Sequence, residues 1–253
     1  MTAFVSLPDL AHPSASERAV PSHVTFLRWC FAGCIVSGPL VAFLYGFLNP
    51  TPLHLTNGAV AIAVNATANP LANQLHLVLG VVLSFLLPIW YLGIAWLALR
   101  GAPWLATLGG LLGLVGWIPW SALIGQEALT ATMAQMGGGP QLAALWERYN
   151  GSGVLTAYLL IYIVGHLLAA VLLAIALGRA HLVPAWAVWA LALTSPVQIV
   201  IFLVHQLAVG IVVALLWFGS SLPIARALLR GDADRDPRPL DAGLEKKAKR
   251  SDS

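Results

Sequence analysis

A single imidazole, His166, stands near the middle of the apolar run SGVLTAYLLIYIVGHLLAAVLLAIALG, which covers 152–178. That run is long enough to cross a ~30 Å hydrocarbon core. An ionisable side chain at such depth is costly and faces protein or water rather than lipid. Tyr158, Tyr162 and His166 recur every fourth residue, so on a helix they form one polar stripe, expected to face the interior of a bundle. Ser37, Ser84, Ser195 and Gln198 fall at similar depth in other apolar runs. Together these residues would line a midplane cavity able to bind a small ligand or relay a proton.

A second set comes from four different segments. His54, His76, Glu127 and His205 all map to the outer membrane boundary, and three imidazoles with a carboxylate are ligand types for zinc or iron(II). A divalent metal is therefore the one cofactor these residues suggest. No local ligand spacing such as HExxH accompanies them, and interface histidines with one wet end need no metal. Haem is disfavoured, because a bis-histidine site needs two histidines at matched depth and His166 has no such partner. Cys30 and Cys34 lie one turn apart inside an apolar run and read as small core residues, with no disulfide framework.

The elements that position these side chains are apolar helices. The chain has 253 residues, 59% of them hydrophobic and only 9% charged, with a mean hydropathy of +0.83. That leaves too little polar surface for a water-soluble globule and makes the lipid bilayer the main solvent. Hydropathy and turn residues predict six crossings, at about 24–48, 74–99, 103–128, 152–178, 184–204 and 206–229. Residues 49–73 read as a loop whose apolar stretch AVAIAV is too short to span. Leu142, Leu145, Trp146 and Tyr149 recur at helical spacing and predict a short surface helix after the Gly137-Gly138-Gly139-Pro140 break. The tails 1–23 and 230–253 read as flexible or disordered.

The expected fold is thus all-α, a polytopic transmembrane bundle of six helices. Of the thirteen basic residues, all but Arg148 fall on one side if both termini are cytoplasmic, a strong positive-inside bias. It places the protein in a cytoplasmic membrane as a multi-pass protein with its termini inside. The sequence pI near 9.1 follows from that bias, and no nucleic-acid partner is implied, because aromatic residues do not interleave the basic ones. Gly109 and Gly113 have the small-xxx-small spacing that lets helix backbones approach, and so offer a docking face for an oligomer.

The run IVGHLLAAVLLAIALGRAHLVPAWAVWALA, from Ile163 to Ala192, resembles a loose group of uncharacterised bacterial membrane proteins of about six helices. In that group an arginine and a Val-Pro pair mark the inner turn between the fourth and fifth helices, here Arg179 to Pro184. The resemblance implies the helix count and brings no activity with it.

Three functions fit these features. The first is small-solute transport or ligand binding in the midplane cavity. The second is a membrane-embedded metal-dependent or redox enzyme using the outer His/Glu cluster, and the third is a non-catalytic partner subunit docking through the glycine face. Depth alone separates two of the histidines: replacing His166 by Ala is expected to lower thermal stability in detergent more than replacing His181 by Ala, since only His166 lies mid-membrane. Equal melting temperatures for the two variants would remove any special standing from His166.

Overall fold

The computed structural model describes residues 21–50, 57–204 and 207–231, without the side chains of 198–204 and 207–209. Among the described residues the chain is all-helical: α1 (Ser22–Leu48), α2 (Gly58–Thr67), α3 (Pro70–Ala98), α4 (Pro103–Trp117), α5 (Trp120–Gln135), α6 (Pro140–Asn150), α7 (Gly153–Ala180), α8 (Ala185–Val204) and α9 (Leu207–Leu229). Five stretches are long and apolar enough to cross a membrane: α1, α3, α4 with α5, α7, and Gly210–Leu229 of α9. The tails expected over 1–23 and 230–253 lie outside the described residues except at 21–23, where α1 begins, and 230–231.

The long helices close into a ring. α3 packs on α1 and α4, α4 on α7, α7 on α8, α8 on α9, and α9 back on α1. α3 also reaches α7 and α9 across the ring, and its Leu83, Leu87, Trp90 and Ile94 are fully buried in the core. Four prolines sit inside helices, Pro39, Pro88, Pro196 and Pro223. A helical proline leaves the carbonyl four residues earlier without its usual donor. For Pro39 that carbonyl is Ile35, and the indole N–H of Trp90 donates to it at 3.2 Å.

Two ends of the bundle differ in chemistry. At one end stand Arg100, Arg179, Arg226 and Arg230, with exposed Trp29, Trp104, Trp186 and Trp189 at the same level, the arrangement of an aromatic interfacial belt. There the 101–102 turn meets the end of α7, since a Cβ on Gly101 would come within 2.4 Å of the Ala180 Cα. The stretch Pro103–Gln135 is 33 residues long, or ~50 Å at ~1.5 Å per residue, against a ~30 Å core. It breaks at Ile118-Pro119, and the far end of α5 stands beyond the apolar layer. This second end carries Glu127.

Several expectations are corrected here. Residues 57–73 are largely helical, because their asparagines act as caps: Asn57 accepts from the Ala59 and Val60 N–H groups, and Asn69 from Leu71 and Ala72. Pro70 then fits the first turn of α3, where its missing N–H costs nothing. The AVAIAV stretch forms α2, whose Ala61 and Ile62 join Met133, Ala134, Ala143 and Trp146 in a second, smaller core with α5 and α6. The short helix expected after the glycines is present as α6, and Gly137, Gly138 and Gly139 before it all have positive φ (89°, 67° and 117°), backbone that glycine alone adopts without strain.

The glycine face of α4 is spent inside the chain, not left for an oligomer. A Cβ on Gly109 would lie 2.8 Å from Leu173 of α7, and one on Gly113 2.4 Å from Tyr91 of α3. Small-xxx-small spacing reports close backbone approach without saying whose backbone approaches. At Gly116 the neighbour is backbone, not side chain: its added Cβ would fall 2.7 Å from the His166 backbone nitrogen. Gly116→Ala is therefore expected to lower stability by about 1–3 kcal/mol, whereas Gly125→Ala, with nothing within 4 Å, should be neutral or gain up to ~1 kcal/mol from helix propensity. Thermal melts of both variants in one detergent check this; matching losses would mean that α4 and α7 do not meet there.

Candidate functional site

The last carbonyls of a helix have no partner within it. At the end of α1 the carbonyl of Tyr45 is taken by His76, whose Nδ1 lies 2.8 Å away from near the start of α3. The same histidine presents Nε2 to Glu127 Oε2 of α5 at 3.0 Å. Tyr45 completes the cluster with its phenol, which lies 2.8 Å from both carboxylate oxygens, and its ring stacks on the imidazole with centroids 4.2 Å apart. His76 is 1% exposed and Glu127 29%, so the imidazole is sealed and the carboxylate is reached from outside the bundle.

Proton counting follows from the donor inventory. A carbonyl oxygen only accepts, so the Nδ1 of His76 carries a hydrogen. Nε2 faces a carboxyl oxygen, and a 3.0 Å contact between them needs one proton, either on the ring or on the carboxyl. His76 and Glu127 therefore hold one proton between them beyond the Nδ1 hydrogen. The Tyr45 hydroxyl donates to the same carboxyl group.

Of the ten acidic residues in the chain, Glu127 alone falls within the apolar membrane-spanning stretches. Aromatic rings stand behind it. Trp120 lies 5.3 Å from Tyr45 and 5.3 Å from Tyr162, with Trp117 5.1 Å from Trp120. Tyr162 in turn lies 4.5 Å from His166. The Trp120 indole N–H donates to the Gly80 carbonyl at 3.0 Å, which fixes α5 against α3.

His166 and Tyr162 are buried, 4% and 3% exposed, as the polar stripe requires. His166 Nδ1 donates to the Tyr162 carbonyl of its own helix at 2.5 Å, and its own carbonyl accepts from the Tyr91 hydroxyl at 3.3 Å. Tyr158 is 39% exposed, contrary to expectation. Eight residues at ~100° each drift by ~80° around a helix, enough to carry one end of the stripe out to the surface. The midplane serines turn to their own helices: Ser37 donates to the Gly33 carbonyl and Ser84 to that of Gly80. Ser195 is buried beside Tyr91.

Of the proposed metal ligands, the fold brings His76 and Glu127 together; His54 and His205 lie outside the described residues, as does the side chain of Gln198. Among the described residues no three His, Cys, Asp or Glu side chains converge. Sequence reasoning missed Tyr45. Its signal was its position in the last turn of α1, at the level where His76 and Glu127 were expected.

Polar contacts also tie the site to the helices beyond the apolar layer. Gln126, next to Glu127, donates to the Asn150 side chain, and the Trp146 indole donates to Thr130 at 2.9 Å. An open hollow of about 640 Å³ lies between α2, α5 and α6, lined by Asn57, Ile62, Ala134, Gly138, Ala143 and Glu147. Against known families, curated proteins and solved structures, the chain matches none.

Proposed function

We propose that this chain is a six-crossing protein of a cytoplasmic membrane, with both termini in the cytoplasm, that binds a small solute and moves it in exchange for a proton at Tyr45, His76 and Glu127. The observation that carries this reading is the 3.0 Å contact between His76 Nε2 and Glu127 Oε2, which needs a proton on one of the two atoms. Burying the His76 imidazole costs free energy unless both its nitrogens are paired, and the carboxylate that pairs Nε2 is 29% exposed, so the proton can leave when a solute arrives. The sixth crossing is α8, 20 residues long and therefore ~30 Å at ~1.5 Å per residue. The orientation rests on the arginines: Arg28, Arg100, Arg179, Arg226 and Arg230 gather at the cytoplasmic end, and Arg148 stands at the opposite one.

Trp120 reports on the centre, because its ring packs edge-on against Tyr45. In detergent, tryptophan emission of the full chain is expected to follow a reversible one-proton transition with pH, retained in His166→Gln and lost in Glu127→Gln. A Glu127→Gln protein with the native transition would overturn the proton-holding role. Topology has its own check. In a Cys30→Ala, Cys34→Ala background, single cysteines at Asn65 and Arg148 should react in intact cells with a membrane-impermeant maleimide, and one at Arg100 should not. Equal labelling at all three positions would sink the six-crossing arrangement with internal termini.

A further inference from the structure

The chemistry around Glu127 restricts what can replace the proton, and this step rests on the exchange reading above. The carboxylate is the one anion of the spanning stretches, and Arg100, Arg179, Arg226 and Arg230 stand at the other end of the bundle. An anionic solute would meet a negative charge paired with His76, and Arg148, the arginine of this end, stands exposed on α6. Hard metal cations fit poorly as well. Calcium takes six to eight oxygen ligands and magnesium an octahedral shell, while this centre offers one carboxylate, one phenol and an imidazole nitrogen.

What the site does offer is an aromatic wall. The Tyr45 ring stacks on His76 and meets Trp120, and Trp120 meets Trp117 and Tyr162, all with centroids within 5.3 Å. Trp120 is half-buried, and Glu127 opens to the exterior at 29%. A carboxylate beside aromatic faces is the combination that holds organic ammonium groups, because ring quadrupoles attract a cation whose hydration is weak and whose alkyl groups gain from leaving water.

We propose that the solute is a small organic cation of the ammonium type, seated on the Glu127 carboxylate against the half-buried Trp120, with the buried Tyr45 ring behind it. Its arrival releases the His76–Glu127 proton, so that one positive charge replaces another and no bond within the solute is broken. The ionisable groups facing Glu127 are Tyr45 from α1 and His76 from α3, with Tyr162 and His166 of α7 behind them. α2 has no ionisable side chain, and on α6 Glu147 instead accepts the Gly58 N–H at 3.4 Å, while Arg148 and Tyr149 are exposed.

The test uses the full chain in detergent, benzyltrimethylammonium as the probe, and tryptophan quenching with calorimetry as readouts. Saturable binding is expected, weakening about tenfold per pH unit on the acid side of the one-proton transition, as one-for-one competition requires. Glu127→Gln should abolish it, and Trp120→Phe, which keeps a ring, should bind more tightly than Trp120→Ala. Benzylsulfonate, with the same ring and the opposite charge, should not bind. Absence of probe binding in a protein that retains its one-proton transition would overturn the organic-cation assignment and leave the proton-holding role standing. So would equal binding of the sulfonate, or unchanged binding in a folded Glu127→Gln protein. Loss of the transition itself would instead remove the exchange reading.

Discussion

Hydrocarbon supplies no hydrogen bonds, so every polar group within the apolar layer must be satisfied by the chain itself. Much of this fold can be read as the answer to that constraint. The Ile35 carbonyl, released by Pro39, is met by Trp90 from the central helix. Gly80, whose carbonyl takes both Ser84 and Trp120, ties α3 to the break before α5. Ser220 and Ser221 both return to the Trp217 carbonyl. Where the donor comes from another helix, as with Trp90 and Trp120, satisfying the backbone also sets helix position.

Without a hydrophobic force between helices in lipid, close fit must do the rest. α4 shows how. Its glycines seat it between α3 and α7, and at Gly116 two backbones meet so closely that a Cβ on Gly165 would lie 2.6 Å from the Gly116 Cα. That contact fixes where α4 ends. The turn at Ile118-Pro119 then redirects the chain, and α5 carries Glu127 to the place where α1 ends and α3 begins. The partly buried carboxylate is thus positioned by a contact roughly three helical turns below it, on residues that do no chemistry.

Much of this was legible in the sequence, and the misses have physical causes. Hydropathy revealed the long helices because a bilayer imposes a length on them. Depth counting placed His76 and Glu127 at one level, and they meet. It did not find Tyr45, because a tyrosine near a helix end reads as an interfacial anchor, and a contact to a residue 82 positions away leaves no local pattern. Tyr158 was misjudged because spacing of four is not the helical period. α2 was hidden for the opposite reason: Asn57 and Asn69 carry turn chemistry and capping chemistry alike, and only the packing of Ala61 and Ile62 against Trp146 and its neighbours decides between the two.

The centre and the helices above it form one mechanical unit through α5. Glu127 lies beside Gln126, bonded to Asn150, and about one turn before Thr130, bonded to Trp146. A shift of α6 must therefore be felt at the carboxylate, since α5 is a continuous helix of 16 residues with a break at Pro119 and the positive-φ glycines at its other end. Tyr45 and His76 belong to helices packed in the main core and stay where that core holds them. The three bonded groups thus divide between a fixed wall, Tyr45 and His76, and the helix that carries Glu127. That division couples any change at the carboxylate to α6 rather than to the main core.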